Sequence, residues 1–376
     1  MQLTRIDLHD LALPLAEPFI ISGGTMTVRR SLVVVLHDDA GHQGYGESPP
    51  FDLPFYSEET LGSARLLLEQ LLIPRLVGRD VEGPEAVDAL LRQGVRGNPF
   101  ARAALETAAW DLEAHRRGTG LAALLGERLG ATPAPRISCG VALGIPPDRS
   151  TETLARWIED AVAHGYRRVK IKVAPGWDTE PVAAARRVLG GSDIPLTVDA
   201  NGGYDWPGHE AALRSLDDAG LLYIEQPLAP DELVGHVRLS QTLRTPVCVD
   251  ETLHGERAAR QLVELDGPRV WNMKVHRMGG LTEVCRVIRL AREHDVRLWA
   301  GTMPESGLGS QAALAMASLP DFVYPSDLEP STRWFGPAAD VIELRMSGDG
   351  TMEVPGTSIA GRLDQAVFRR ATRRLD

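Results

Sequence analysis

The sequence predicts an α/β protein: a TIM-type barrel preceded by an α+β domain. Two observations predict it. After about residue 135, eight short apolar runs alternate with amphipathic helical stretches, the pattern of βαβ units around a parallel sheet. Eight such units are the number that closes a barrel. The spacing is also regular: Lys172 to Asp199 is 27 residues, Asp199 to Glu225 is 26, Glu225 to Asp250 is 25, and Asp250 to Lys274 is 24. Each step holds one strand, one helix and two short loops.

Residues 1–130 read as the α+β domain. "SLVVVLHDDAGHQGYGES" predicts two strands joined by a turn at Asp39, Ala40 and Gly41. "SEETLGSARLLLEQLL" predicts a helix capped by Ser57, with two glutamates in its first turn. "NPFARAALETAAWDLEAHRRG" predicts a helix with Asn98 as cap, Pro99 at the first helical position and Gly118 past the end. Residues 131–325 hold the eight runs "ISCGVALG", "RVKIKV", "PLTVDAN", "LLYIEQP", "PVCVDET", "VWNMKV", "VRLWAGT" and "FVYPSD". Residues 326–376, with "SGDGTMEVPGTSIAG", fit no barrel unit and are expected to return to the first domain. The basic tail "FRRATRRLD" reads as a solvated helix end.

Composition narrows the function. A chain of 376 residues with 43% hydrophobic and 24% charged residues is an ordinary globular composition. Its net charge of -11 argues against nucleic acid as a partner, because phosphate binding needs a basic surface. Cys139, Cys248 and Cys285 form no CxxC and suit a reducing cytoplasm. The first residues lack a signal-peptide pattern, and no run of 18 apolar residues exists to cross a membrane.

The chemistry sits at the ends of the runs. Asp199, Glu225 and Asp250 close three consecutive strands, at the barrel face where active sites form. Three carboxylates in a dry pocket need compensation. A hard divalent cation, Mg²⁺ with Mn²⁺ as the alternative, supplies it through oxygen ligands. The alternative is that each acid merely caps the helix that follows. Lys170 and Lys172 are two apart, so they share one face of their strand. Lys274 lies on the sixth run, across the barrel from the second. A buried lysine beside positive charge loses its proton readily, and such a pair could remove a proton next to a carboxylate while a metal stabilises the ene-diolate. The competing reading pairs the three lysines with the three acids as structural salt bridges.

"KIK", "VDAN", "IEQP", "VDET" and "NMKV" together resemble the enolase superfamily over nearly the whole chain, which implies a (β/α)7β TIM-type barrel with an α+β capping domain. Lys274 resembles the muconate-lactonizing branch, since the seventh run, "VRLWAGTMPESG", has no histidine. Longer stretches, among them "PFYSEET", "GYRRVKIKVAPGWDTEPV" and "GTMPESGLGSQAALAMASLPDF", resemble o-succinylbenzoate synthases and N-acylamino acid racemases. The resemblance implies Asp199, Glu225 and Asp250 as Mg²⁺ ligands and Lys172 as general base. It makes Lys170 the residue that keeps the Lys172 pKa low, and Lys274 the second acid/base or a cation beside the enolate. It implies Asn201 and Glu251 as supports, and substrate contacts from Thr302, Met303, Ala142 and Thr25. The loop "FIISGGTMTV" (19–28) would close over the substrate as a lid.

The implied enzyme is a metal-dependent lyase or racemase of small carboxylates. The first expectation is o-succinylbenzoate synthase, with N-acylamino acid racemase activity beside it, a place in menaquinone biosynthesis, and an even homo-oligomeric assembly. A dedicated racemase, a dipeptide epimerase and a cycloisomerase are alternatives within the mechanism. "TMPES" lacks the Asp-x-Asp expected of dipeptide epimerases. Outside the mechanism stand a Schiff-base aldolase on the same barrel and an inactive barrel used for binding. Ala142, Thr302, Pro304 and His276, with "VDANGGYDW", depart from the family pattern. His276 and Glu305 are weighed as further participants at the rim.

Overall fold

The computed structural model describes residues 1–21 and 24–375. Strands β1 (Leu3–Ile21), β2 (Gly24–Asp38) and β3 (Gln43–Ser48) form an antiparallel sheet. The predicted turn joins β2 to β3: Asp38 accepts from the backbone N–H of Ala40 at 3.0 Å and of His42 at 2.8 Å, and Gly41 has φ +87°.

Helix α1 (Pro99–Arg117) lies on this sheet. A side chain at Gly44 or Gly46 of β3 would strike the α1 backbone, its Cβ 2.1 Å from Ala108 O or 2.0 Å from Ala104 O. The alternating glycines of "QGYGES" therefore let helix and strand meet backbone to backbone. Leu105, Ala108 and Leu112 of α1 bury into the cap core, while Trp110 and Ala114 bury into the barrel core. One helix thus belongs to both.

Two caps differ from the sequence reading. Ser57 is not an N-cap. That helix begins at Leu61, and Thr60 caps it in a reciprocal box with Ser63. Asn98 precedes α1 but makes no side-chain cap bond. Glu59 takes that role, accepting from Phe100 N and Ala101 N at 2.8 Å each. The first-turn glutamate expected on one helix has turned to cap another.

The barrel strands are β4 (Gly140–Leu143), β5 (Arg168–Lys172), β6 (Leu196–Asp199), β7 (Ile224–Glu225), β8 (Val247–Val249), β9 (Val270–Met273) and β10 (Arg297–Ala300). They form one parallel sheet in sequence order, with helices between. The eighth run, "FVYPSD", is not a ladder strand, since Pro325 has no N–H to give. It still closes the ring. Val323 N donates to Leu298 O at 3.0 Å and Asp327 N to Ala300 O at 2.9 Å on one side, while Gly140 N donates to Ser326 O at 2.7 Å on the other.

"ISCGVALG" divides in two: Arg136–Ser138 pairs antiparallel with Thr351–Glu353, and only Gly140–Leu143 enters the barrel. The last fifty residues therefore do not all return to the cap. Residues 351–353 stay beside the start of the barrel, Phe335, Val341, Ile359 and Leu363 pack against Leu11, Val33 and Tyr45 of the cap, and the end joins the first sheet. There "TRRL" is strand β11 (Thr372–Leu375) beside β1, not a helix end. Arg374 meets Asp7 at 2.9 Å and Arg373 meets Asp10 at 3.3 Å.

Two cap carboxylates hold barrel loops. Glu47 of β3 accepts from Ser306 N at 3.2 Å and Gly309 N at 3.0 Å. Glu106 of α1 accepts from Leu281 N and Thr282 N at 2.7 Å each, at the start of helix α2 (Leu281–Glu293). Burial pushes the Glu106 carboxyl up to about 7 against these bonds. Its folded pKa then lies above the ordinary value, so between about pH 4.5 and 7 the unfolded chain releases this proton first and stability falls as pH rises. Glu106→Gln removes the titrating group. The wild-type advantage over Glu106→Gln in chemical unfolding is expected to shrink across that window; parallel pH profiles would contradict it.

Candidate active site

The site is built by strand register. Lys172 of β5 stands opposite Asp199 of β6, and Asp199 opposite Glu225 of β7. Asp250 follows the last residue of β8 directly, and Lys274 the last residue of β9. The ionisable groups therefore ring one end of the barrel, as the spacing predicts. Lys172 and Lys274 belong to the second and sixth of eight positions and face each other across the mouth.

Each lysine rests on acids, as the salt-bridge reading expected, but their donor counts differ. An ammonium has three N–H groups and no acceptor. Lys170, with 5% of its side chain exposed, has Nζ 2.6 Å from Asp327 Oδ2, 3.0 Å from Glu225 Oε2 and 3.5 Å from Asp199 Oδ2. Three carboxylates thus surround the ammonium, with the Trp299 ring centroid 4.8 Å away. Lys172, 30% exposed, donates to Asp199 Oδ2 at 2.6 Å and to Asn201 Oδ1. Lys274 donates to Asp250 Oδ2 at 2.8 Å and to the Tyr56 hydroxyl at 3.0 Å. Among the described residues Lys172 and Lys274 each have two acceptors and one Nζ position open, whereas Lys170 is enclosed by three acids.

The electrostatics follow. Burial opposes the Lys170 ammonium, yet Asp327, Glu225 and Asp199 outweigh it and raise its pKa well above the ordinary value. Burial likewise opposes the Lys274 charge, and Asp250 overrides it and raises that pKa also. At Lys170 and Lys274 the acids, rather than the positive neighbours, set the direction. Proximity in sequence shows which charges are near, but not which acids enclose them. Burial would raise the Asp199 carboxyl, but Lys172 and Lys170 hold it well below the carboxylate range. Asp250 is likewise lowered, against burial, by Arg277 and Lys274. Glu225 goes the other way, up to about 8, through burial and the like charge of Asp199, with Asp250 adding to it.

Among the described residues no three acidic, histidine or cysteine side chains converge closely enough to enclose a metal ion. The acids lean onto lysines instead. Their chemistry nonetheless fits a hard cation: the donors are all oxygen. Two acids crowd Glu225 enough to raise it, and a divalent charge relieves that repulsion.

Asn201 and Glu251 are joined to this set. Asn201 N donates to Asp199 Oδ1 at 2.9 Å, and its side chain donates to Glu251 Oε1 at 3.0 Å. Of the four expected substrate contacts, Ala142 lies opposite Lys170 on β4 and Thr302 bonds the Asp327 carbonyl at 3.1 Å. Met303 is 2% exposed, packed with Phe51 and Phe100 rather than offered to the mouth. Thr25 is exposed on the β1–β2 hairpin opposite Ile20. Ser22 and Gly23 of the expected lid lie outside the described residues. His276 is buried and held neutral near pH 7, its pKa pushed down to about 4 by burial, and its charged neighbours are Glu47 and Arg29 rather than the three acids. Glu305 is buried and accepts from Met303 N, with Arg29 and Lys274 nearby.

Sequence reading missed four members. Asn272 donates to Glu225 Oε1 at 2.7 Å; it precedes Lys274 by two, and alternation alone places both on one face. Arg277 pairs with Asp250 Oδ1 and donates to Tyr56 at 3.1 Å. Asp327 closes the eighth run as the other acids close theirs, and carries both Lys170 and the fully buried Arg168. An Asp-x-Glu pair, Asp327 and Glu329, follows the eighth run, and it is not the Asp-x-Asp sought in "TMPES". Tyr56 comes from the cap and has no signal in sequence.

Residues 5–126 match the mandelate racemase / muconate lactonizing enzyme N-terminal domain, and residues 153–358 the enolase C-terminal domain-like family. The N-succinylamino acid racemase of Thermus thermophilus is 40% identical over 374 residues, 99% of this chain and 98% of the racemase. The o-succinylbenzoate synthase of Bacillus subtilis is 35% identical over 380 residues, 100% of this chain and 98% of the synthase. A crystal structure of an enolase superfamily member from Enterococcus faecalis superposes with a TM-score of 0.90 at 34% identity, covering 100% of this chain and 99% of that one.

Proposed function

The chain belongs to the mandelate racemase / muconate lactonizing enzyme family of the enolase superfamily, and from that premise we propose that it removes the proton α to a carboxylate, first as an o-succinylbenzoate synthase, with N-acylamino acid racemase activity beside it. The relatives of those two names support the substrate class. The single observation that carries the mechanism is the pair of opposed lysines, each with one open Nζ position.

Lys172, the more exposed, acts as the neutral amine: the lone pair at its open position takes the α-proton from one face of the substrate. The ammonium so formed is then the acid that protonates a departing hydroxide, which completes a dehydration. In racemisation Lys274 delivers a proton to the opposite face instead. Lys170 takes no proton, because the three carboxylates around it keep it an ammonium; it is a fixed positive charge beside the substrate carboxylate. Asp199, Glu225 and Asp250 would hold Mg²⁺, which when bound supplies positive charge for the carboxylate as the α-proton leaves. Asn201 and Asn272 orient Asp199 and Glu225. We assign residues 1–130 as the cap, 131–325 as the barrel and 326–376 as the segment that joins both, supported by the β11–β1 pairing. Three unpaired, buried cysteines support a reducing cytoplasm as the compartment.

A dipeptide epimerase would have to receive a free ammonium. Asp327 and Glu329 are placed for it, but both are engaged, Asp327 by Lys170 and Arg168 and Glu329 by Arg333 at 2.8 Å and Ala142 N at 3.1 Å. This supports an N-acylated substrate over a dipeptide. Turnover of the o-succinylbenzoate precursor and racemisation of N-succinyl amino acids are expected, both lost in EDTA and restored by Mg²⁺. Full activity in EDTA together with borohydride trapping of a carbonyl substrate would instead establish a Schiff-base aldolase.

A further inference from the structure

Among the described residues the cap sends one side chain, Tyr56, to the catalytic lysines, and it reaches Lys274. Tyr56 sits in the segment between β3 and the helix that starts at Leu61. Leu61 N donates to Phe51 O at 2.9 Å, and Phe51 bridges Thr60, so the base of this excursion is closed. Inside it Phe51 packs on Phe55 with ring centroids 4.5 Å apart, Phe51 lies 6.3 Å from Tyr56, and Arg29 covers Phe51 at 4.6 Å. The excursion is therefore a rigid arm with Tyr56 on it.

At its end the Tyr56 oxygen accepts two bonds, from Lys274 Nζ at 3.0 Å and Arg277 Nη1 at 3.1 Å. The Lys274 ammonium also lies 5.0 Å from the Tyr56 ring centroid. Asp250 accepts from the same lysine and arginine. The four side chains close a ring in which Tyr56 is the one uncharged acceptor. Its hold on Lys274 is independent of how the Asp250 charge is used. Among the described residues Lys172 bonds Asp199 and Asn201, both of the barrel.

Building on the proton-abstraction reading, we infer that Tyr56 is a positioning residue for Lys274 alone, so that the cap sets the rate on one face of the substrate and not on the other. With Asp250 and Tyr56 each fixing one N–H, the third points along a defined direction toward the mouth. Without the hydroxyl the ammonium turns about its bond to Asp250, and the proton is no longer aimed.

Tyr56→Phe keeps the ring and removes the hydroxyl. The readout is α-proton exchange in D₂O, measured separately on the two enantiomers of an N-succinyl amino acid. Lys274→Ala first identifies the enantiomer served by Lys274. Tyr56→Phe should slow exchange of that enantiomer by at least about tenfold relative to the other, the size of one hydrogen bond to a charged group. The other enantiomer, in the same protein, reports any general damage. An equal fall on both enantiomers, or no change in their ratio, overturns the inference. No exchange by the wild-type enzyme on either enantiomer overturns the proton-abstraction reading instead.

Discussion

Lys172→Ala is expected to lower turnover of the o-succinylbenzoate precursor by roughly 10²–10⁴-fold or more, the contribution of a positioned general base. The geometry offers no substitute. Lys170 is two residues away on the same face, yet Asp327, Glu225 and Asp199 surround its ammonium and raise its pKa. Lys274 stands on the opposite side. The fold should survive, because Lys172 is 30% exposed and its removal leaves Asp199 with Lys170 and the Asn201 backbone N–H as partners. Steady-state turnover of the folded variant checks this, and a rate near the wild type would remove Lys172 from the role of base.

The second large effect is on stability. Asp327→Asn should cost about 3–5 kcal/mol, the scale for removing one partner of a buried ion pair. Arg168 is fully buried and Lys170 nearly so, and Asp327 is the carboxylate common to both. The remaining partners of Arg168 are neutral: the Pro325 carbonyl at 2.9 Å and the Thr197 hydroxyl at 3.3 Å. Two cations would then share the barrel interior with one carboxylate fewer. Urea unfolding with an unchanged slope measures the loss, and a change under about 1 kcal/mol would show that the other acids suffice.

Much of the site was legible because it obeys strand geometry. Lys170 and Lys172 were placed together by a period of two, and Asp199, Glu225, Asp250 and Lys274 by the length of a βα unit. Asp327 carried the same signal at the end of "FVYPSD" but went unassigned. Pro325 prevents a regular strand there, and hydrogen bonds to Leu298, Ala300 and Gly140 close the ring in its place. The caps went wrong at Ser57 for a local reason: Ser57 and Thr60 are both good N-caps, and only the packing of α1 decides that Glu59 turns away to cap Phe100 and Ala101.

Tyr56 and the state of the lysines were not legible at all. Tyr56 reaches Lys274 across 218 positions of chain, and no periodicity connects the two. The lysine protons depend on how many acids face each ammonium. Sequence shows three acids and three lysines. The structure adds Asp327, which fills the last position on Lys170, and Tyr56, which takes one on Lys274. The division of labour among three like residues thus rests on two side chains outside the motifs.

In the proposed mechanism Lys172 and Lys274 serve opposite faces of one carbon. Deuterium exchange at the α-carbon tests it most directly, with Lys172→Ala and Lys274→Ala each assayed on both enantiomers of an N-succinyl amino acid. Each variant is predicted to lose exchange from one enantiomer and keep it from the other, with the two variants affecting opposite enantiomers. Loss of the same enantiomer in both variants, or persistence of both enantiomers in either, would contradict the account.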